Sequence, residues 1–273
     1  MATYVTGDIH GAAKALKQVL ERSNFDYEND TLIQLGDVAD GWSEVYECVE
    51  ELLKIKNLIS IKGNHDDWFF QWMIKGLHPT NWLQGGYGTL QSYVNNVDRN
   101  VNIRQRMGAY TSDLTYFDIP DTHKDFWTKQ HLYYKDDKNR VFVHGGYTSI
   151  HGIGNDESAS YYWDRSLWYT ALAAGSTNKS LDNRLPITLR NHEEIYIGHT
   201  STVNWDYKNH GVLKAPEGEV RGKPITTPIH ACNVWNLDTG AGFRGKLTIM
   251  NIDTKEFWQS DFVNELYPDE KGR

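Results

Sequence analysis

Cysteine is scarce in this sequence. Cys48 and Cys232 are the two in 273 residues, and neither belongs to a CxxC pair. That excludes a thiolate metal cluster and a disulfide-built scaffold. It points to two buried thiols in a reducing compartment, with a single disulfide as the alternative. Long apolar runs are missing too, and no stretch approaches the roughly 18 residues that a transmembrane helix needs. The opening MATYVTGDIH lacks the basic start and apolar run of a signal peptide. A soluble cytoplasmic protein is therefore expected, in the host cytoplasm if the gene is viral, with no membrane partner. Basic charge is also in deficit. A formal net charge of −8 and a pI of about 5.7 argue against a broad nucleic-acid-binding surface. A local anion site survives that argument, because bound metal ions can supply positive charge. Internal repeats, low-complexity tracts and linkers are absent, so residues 1–273 read as a single domain of undetermined oligomeric state.

Apolar residues make up 39% of the chain and aromatics 13%, enough for a sizeable core. Ten Trp and sixteen Tyr leave aromatic side chains to line a cleft. The first third alternates strand and helix: strands at Thr3–Thr6, Thr31–Leu35 and Leu58–Ile61, helices at Ala12–Arg22 and Ser43–Lys54, and a third helix beginning near Asp66. This rhythm predicts βαβ units and a parallel sheet portion. Residues 68–129 read as a helical insertion, with Trp68, Phe69, Phe70 and Trp72 assigned to its core rather than to a substrate cage. Strands resume at His131–Tyr134, Arg140–His144 and Ile195–Gly198. An antiparallel meander is expected over Asn233–Leu237, Lys246–Ile252 and Glu256–Gln259, after a loop insertion at 201–230 that can be a lid or a static loop. The acidic pairs Asp66-Asp67 and Asp136-Asp137 read as solvated faces.

The informative feature is which residues follow the strands. Gly7-Asp8-Ile9-His10-Gly11 follows the first, Gly36-Asp37-Val38-Ala39-Asp40-Gly41 the second, and Gly63-Asn64-His65-Asp66 the third. Later strands end in Val143-His144-Gly145-Gly146 and Ile197-Gly198-His199-Thr200. Carboxyl ends of strands in α/β sheets are where ligands gather. Each motif alone is weak, since a Gly-Asp turn is common and a lone His is more often packed than ligating. Five in succession point to a cation site. Oxygen and imidazole donors without thiolate suit Mn, Zn, Fe and similar divalent ions, and a carboxylate such as Asp37 can bridge two of them.

Together these motifs resemble the calcineurin-like metallophosphoesterases, over nearly the whole chain from Gly7 to about Ile252. The branch most similar holds the lambda-type and bacterial serine/threonine protein phosphatases and the symmetrical diadenosine tetraphosphatases. Trp82-Leu83, Gly85-Gly86, Thr89-Leu90 and Ser92-Tyr93 are similar to a stretch between that branch's metal motifs, as is Asp238-Thr239-Gly240-Ala241 near its end. The resemblance implies an α/β fold, a four-layer αββα sandwich of two mixed sheets with a helical insertion. It implies two divalent ions, manganese foremost, with Fe, Zn, Ni or Mg as alternatives. Asp8 and His10 would bind one ion, Asp37 would bridge, and Asn64, His144 and His199 would bind the second. His65 would be the general acid, oriented by Asp40. Arg165, and Asn64 with it, would hold the substrate phosphate. The plain alternatives are a structural His65, a helix-capping Asp40 and a surface-paired Arg165.

Two positions depart from the pattern. Ser201 stands where many relatives carry a further metal-binding His, as expected for the protein-phosphatase-like branch. Gly41 stands where that branch has an arginine after Asp40, so one phosphate clamp is missing. Lys62, Arg221 and Arg244 are candidate replacements. The expected activity is hydrolysis of a phosphomonoester, on a phosphoprotein or small phosphorylated metabolite, by a metal-bridging hydroxide. The alternatives are a dinucleoside polyphosphate hydrolase or phosphodiesterase, a nucleotide then being the partner, and a catalytically silent metal-binding module.

Overall fold

The computed structural model describes residues 1–106, 109–176, 185–206 and 222–273. In chain order β1 (Thr3–Thr6) leads to α1 (Ala13–Arg22), β2 (Thr31–Gln34) to α2 (Val45–Leu52), and β3 (Asn57–Ser60) to α3 (Asn64–Lys75). Then come α4 (Gly86–Val94), β4 (Ile103–Arg106), β5 (Ala109–Ser112) and α5 (Asp121–Lys129). The second half holds β6 (Tyr133–Lys135), β7 (Arg140–Val143), α6 (Ser160–Trp163), α7 (Ser166–Ser176), β8 (Glu194–Ile197), β9 (Ile229–Ala231) and β10 (Val234–Asn236). The last elements are β11 (Thr248–Asn251), β12 (Phe257–Gln259) and α8 (Val263–Leu266).

Among the described residues two large mixed sheets form, in strand orders β12-β11-β1-β2-β3 and β6-β7-β8-β10-β9. Side chains alternating along each strand sort the core into layers. Tyr4, Leu32 and Ile249 face the helices α1 to α5, in one apolar cluster with Leu16, Val49, Phe69 and Trp127. Their neighbours Val5, Ile33 and Met250 face the other way and meet Phe142 and Tyr196 of the second sheet. Phe142 and Tyr196 stack at 4.8 Å with ring planes 10° apart. Val141, Val143, Ile195 and Ile197 point out of that sheet's far face onto α7, through Leu167, Trp168 and Ala171. Helices, sheet, sheet, helices is the expected four-layer order.

Local chemistry sets the elements. Buried Ala13, Leu16, Val19 and Leu20 give α1 its inner stripe, and Asn24 in left-handed conformation (φ 52°) follows its end. Parallel register pairs Val5 with Ile33 and Ile33 with Ile59. The loops after β1, β2 and β3 consequently leave the sheet at one edge.

Two expectations require correction. The final strands are not one meander. β10 runs parallel to β8 and antiparallel to β9 in the second sheet, whereas β11 and β12 pair in the first, β11 antiparallel to β1. Short apolar runs of similar pattern carry no information about their partner, so spacing could not separate them. The insertion also contains strands, since β4 and β5 form an antiparallel hairpin. Ile103-Arg104-Gln105-Arg106 has a single apolar residue and leaves no alternation to read. Of the 201–230 loop, residues 207–221, Arg221 included, lie outside the described residues, as does the lid question they carry. No described helix is long and apolar enough to cross a membrane.

Candidate metal centre

Loops from both sheets meet at one edge of the sandwich. The β1 loop is stitched to the β2 loop by Ile9 and His10 N–H groups donating to the Asp37 carbonyl, at 3.0 and 2.9 Å. At the edge of the second sheet the Gly198 N–H donates to the His144 carbonyl at 2.8 Å, and between the sheets the His199 N–H donates to both Asp8 oxygens at 3.2 Å. Gly63 passes so close to Asp37 that an added Cβ would strike its carboxylate. His10, Asp37, Asp40 and His199 all take left-handed φ values, 51°, 56°, 67° and 65°. Such conformations are unfavourable for non-glycine residues and concentrate at functional sites.

The side chains gathered here are buried. Asp8, His10, Asp37, Asp40, Asn64, His65, His144 and His199 are each at most 3% exposed. Two triads, His10–Asp37–His65 and Asp37–His144–His199, present ligand atoms within 4.8 Å of one another, and Asp37 belongs to both. Three imidazoles are oriented alike. Nδ1 of His10 faces the Ala39 carbonyl at 3.0 Å, Nδ1 of His144 the Leu35 carbonyl at 2.7 Å, and Nδ1 of His65 the Asp40 Oδ2 at 2.7 Å. With a proton on each Nδ1, each Nε2 turns its lone pair to the centre. His144 Nε2 lies 3.3 Å from Asp37 Oδ2 and 3.2 Å from Asn64 Oδ1, and His10 Nε2 lies 3.6 Å from Asp37 Oδ2 and 3.8 Å from Asp8 Oδ2.

Asp37 is braced by its neighbours. Its Oδ1 accepts the His65 N–H at 3.0 Å in the first turn of α3, where the helix dipole favours an anion. Asp66 is fully buried, which corrects the solvated-face expectation. Its carboxylate accepts the N–H groups of Asp37, Val38, Ala39 and Gly63 and the Gln130 amide, all at 2.8–3.0 Å. It shapes the β2 loop and caps α3 at once. Asp136 is likewise engaged, accepting Arg140 Nε at 2.6 Å. Asp40 does not serve as a helix cap. Besides His65 it accepts Trp82 Nε1 at 3.0 Å and the Thr89 hydroxyl at 2.7 Å, while its own N–H donates to Thr89 Oγ1 at 2.8 Å. The Trp82–Tyr93 stretch is thus the buttress of Asp40.

Electrostatics and satisfaction both indicate missing positive charge. Burial would raise the Asp37 carboxyl, but His144, His65 and His10 together hold it well below the carboxylate range. Burial, then Asp238 beside it, lifts Asp8 well above that range. Burial opposes protonation of His144, yet Asp37 and Asp8 raise it to about 9. Burial and then Arg273 push His10 down, and burial and then His144 and Arg165 push His199 down. Asp37 Oδ2 and both His199 ring nitrogens are buried with no hydrogen-bond partner among the described residues. Orphaned oxygen and nitrogen donors around close carboxylates fit borderline divalent ions.

Other expected participants divide. Arg165 reaches the cluster, donating through Nη1 to the His199 carbonyl and to Thr200 Oγ1, both at 3.2 Å. Lys62 instead lies 3.9 Å from Asp67 and over the Phe70 ring, and Arg244 is exposed. Phe69 and Trp72 belong to the insertion core, whereas Trp68 also borders the site, 4.6 Å from His65 and 5.6 Å from the half-exposed Trp163. Reasoning from sequence missed Arg273, which lines a cleft with His10, Ser201, Asp238 and Gly242. It sits beyond the last periodic element, where no pattern could reveal it.

Comparison with known proteins agrees with this geometry. The family model for calcineurin-like phosphoesterases matches residues 1–217. Symmetrical bis(5'-nucleosyl)-tetraphosphatases of Pseudomonas fluorescens and Proteus mirabilis are 39% and 36% identical over 67 residues. That stretch spans 24% of this chain and 24% of each relative. The fold is similar to a crystal structure described as a candidate diadenosine tetraphosphatase, with TM-score 0.57, 13% identity, and coverage of 94% of this chain and 91% of the other. A metallophosphoesterase from Sphaerobacter thermophilus is similar at TM-score 0.50 and 16% identity, over 98% and 94% of the two chains. With that match over most of its length and the two-sheet fold beneath it, this chain belongs to the calcineurin-like phosphoesterase family.

Proposed function

We propose that the protein is a metal-dependent hydrolase of phosphoester bonds, built as one domain over residues 1–273, acting on phosphomonoesters. The observation that carries this reading is Asp37 Oδ2, buried and without a hydrogen-bond partner among the described residues, at the junction of two imidazole-bearing triads. Asp8, His10 and Asp37 would hold one divalent ion, and Asp37, Asn64, His144 and His199 a second. Such ions, manganese foremost, lower the pKa of a coordinated water and neutralise the phosphoryl oxygens. The chain's own residues do the rest. His65, with Nδ1 on Asp40, carries a proton on Nε2 to the leaving oxygen when it is doubly protonated. Asp40, held by Trp82 and Thr89, keeps that imidazole aimed. Arg165, next to His199, neutralises phosphoryl oxygens that stay negative throughout transfer. Burial of the cluster keeps these charges in a low-dielectric setting, where fixed groups act most strongly.

Hydrolysis of para-nitrophenyl phosphate and its bis ester by metal-stripped protein, with manganese added back, tests this. Monoester turnover should require manganese and vanish in Asp37→Asn. Bound metal with no turnover on any phosphoester would sink it and leave a silent metal-binding module. A second reading, hydrolysis of dinucleoside polyphosphates, is favoured by the half-exposed Trp163, whose ring lies 5.9 Å from His199, where a base can stack. The tetraphosphatase names of the relatives agree with it. Diadenosine tetraphosphate cleaved faster than the monoester would select that reading.

A further inference from the structure

Gly41 follows Asp40 where the family resemblance calls for an arginine, and no side chain fits there. Its φ is 93°, and an added Cβ would lie 2.8 Å from the His10 carbonyl oxygen. A distant part of the chain approaches instead. Beyond α8, residues 268–273 run back across the loop after Asp40. Glu270 accepts the Ser43 N–H at 2.9 Å and the Ser43 hydroxyl at 2.7 Å. Gly272 passes so close to Trp42 that an added Cβ would lie 2.8 Å from its ring; this buried indole stacks on Tyr267 at 5.1 Å and donates to the Ala241 carbonyl at 2.7 Å. The Arg273 N–H donates to the Gly242 carbonyl at 2.9 Å. Position 242 has no room for a side chain either, since a Cβ there would strike the His10 ring. This strap sets Arg273 Nη1 3.1 Å from His10 Nε2, 3.1 Å from His65 Nε2 and 3.9 Å from Asp37 Oδ2.

We propose that Arg273 is the second phosphate-gripping cation of the centre, carried in by the 268–273 strap because position 41 cannot hold one. The proposal rests on the phosphoesterase reading above. A guanidinium among imidazole lone pairs has only provisional partners. The His10 Nε2 lone pair can take an Arg N–H or a divalent ion, not both. Once ions are bound, the fork must leave His10, and its donors suit phosphoryl oxygens beside His65, the group proposed to protonate the leaving oxygen. Arg165 stands by the triad of His144 and His199, and Arg273 by the triad of His10 and His65, so two guanidiniums bracket the centre. The side chain is 25% exposed, which leaves it room to turn.

The test uses manganese-loaded wild type, Arg273→Ala and Arg273→Lys. Manganese content is read by mass spectrometry, inorganic phosphate binding by titration calorimetry, and kcat and KM with para-nitrophenyl phosphate. Equal manganese in all three is expected. Arg273→Ala should weaken phosphate binding about tenfold or more and raise KM by a similar factor, and Arg273→Lys should recover part of both, as a point charge without the bidentate fork. Unchanged phosphate affinity overturns the proposal. So does tighter manganese binding with faster turnover in Arg273→Ala, which would mark the strap as an occluding device. If wild type hydrolyses no phosphoester, the functional reading fails, while the phosphate titration still decides the Arg273 contact.

Discussion

A single carboxylate, Asp40, shows how finely the centre is tuned by contacts that never reach the substrate. One oxygen is reserved for His65 and the other is shared by Trp82 and Thr89. Asp40→Asn keeps the shape but replaces the carboxylate oxygens that face His65 Nδ1, Trp82 and Thr89 with an amide. A fall in kcat of about 100-fold is expected, with manganese content unchanged. Lost stability with kcat intact would reduce Asp40 to a structural role. Trp82→Phe removes one of the two bonds to Asp40 Oδ1. It should cost about 1 kcal/mol in chemical denaturation, with a smaller loss of kcat. At this scale the sequence was legible where a motif sat next to a strand. Asp8, His10, Asp37, Asn64, His144 and His199 are gathered because strand ends gather them. Trp82 and Thr89 were recognisable only as part of a stretch, because their target lies over 40 residues away in the chain. Arg273 left no trace at all, because its position depends on a strap without periodicity.

Among elements, the turn from β3 into α3 governs the loop after β2. Asp66 occupies the first turn of α3 and still holds three consecutive N–H groups of the β2 loop. Asp66→Asn turns an amide towards those donors, and one buried face of the network loses its acceptors. A destabilisation on the order of 3 kcal/mol is expected, read as a lower denaturation midpoint, with weaker manganese binding because Asp37 loses its frame. Unaltered stability would show that water or a loop shift replaces those bonds. The βαβ rhythm was legible because buried strands and amphipathic helices differ in period, and α1, α2 and α3 fall within two residues of their expected starts. Pairing was not legible. β10 and β11 look alike as short apolar runs, and only the two-sheet fold assigns them to opposite layers. The solvated reading of Asp66-Asp67 failed for a related reason: two adjacent acids on a helix start can face opposite environments.

For the whole molecule, the two sheets hold each other through Val5, Ile33, Met250, Phe142 and Tyr196. Phe142→Ala opens a cavity in this middle layer and should cost about 3–5 kcal/mol by denaturant titration, with the metal stoichiometry of the folded fraction unaffected. A much smaller loss would mean that the layers slide together to fill the space. The proposed ligands straddle that same seam: Asp8, Asp37 and Asn64 leave one sheet, His144 and His199 the other. Ions seated among them would act as a rivet between plates whose shared layer is otherwise mostly grease. Loading with manganese should then slow amide exchange in β1, β2, β7 and β8 together, far into the strands, whereas slowing confined to the loop tips would mean that the rivet holds nothing but its own rim.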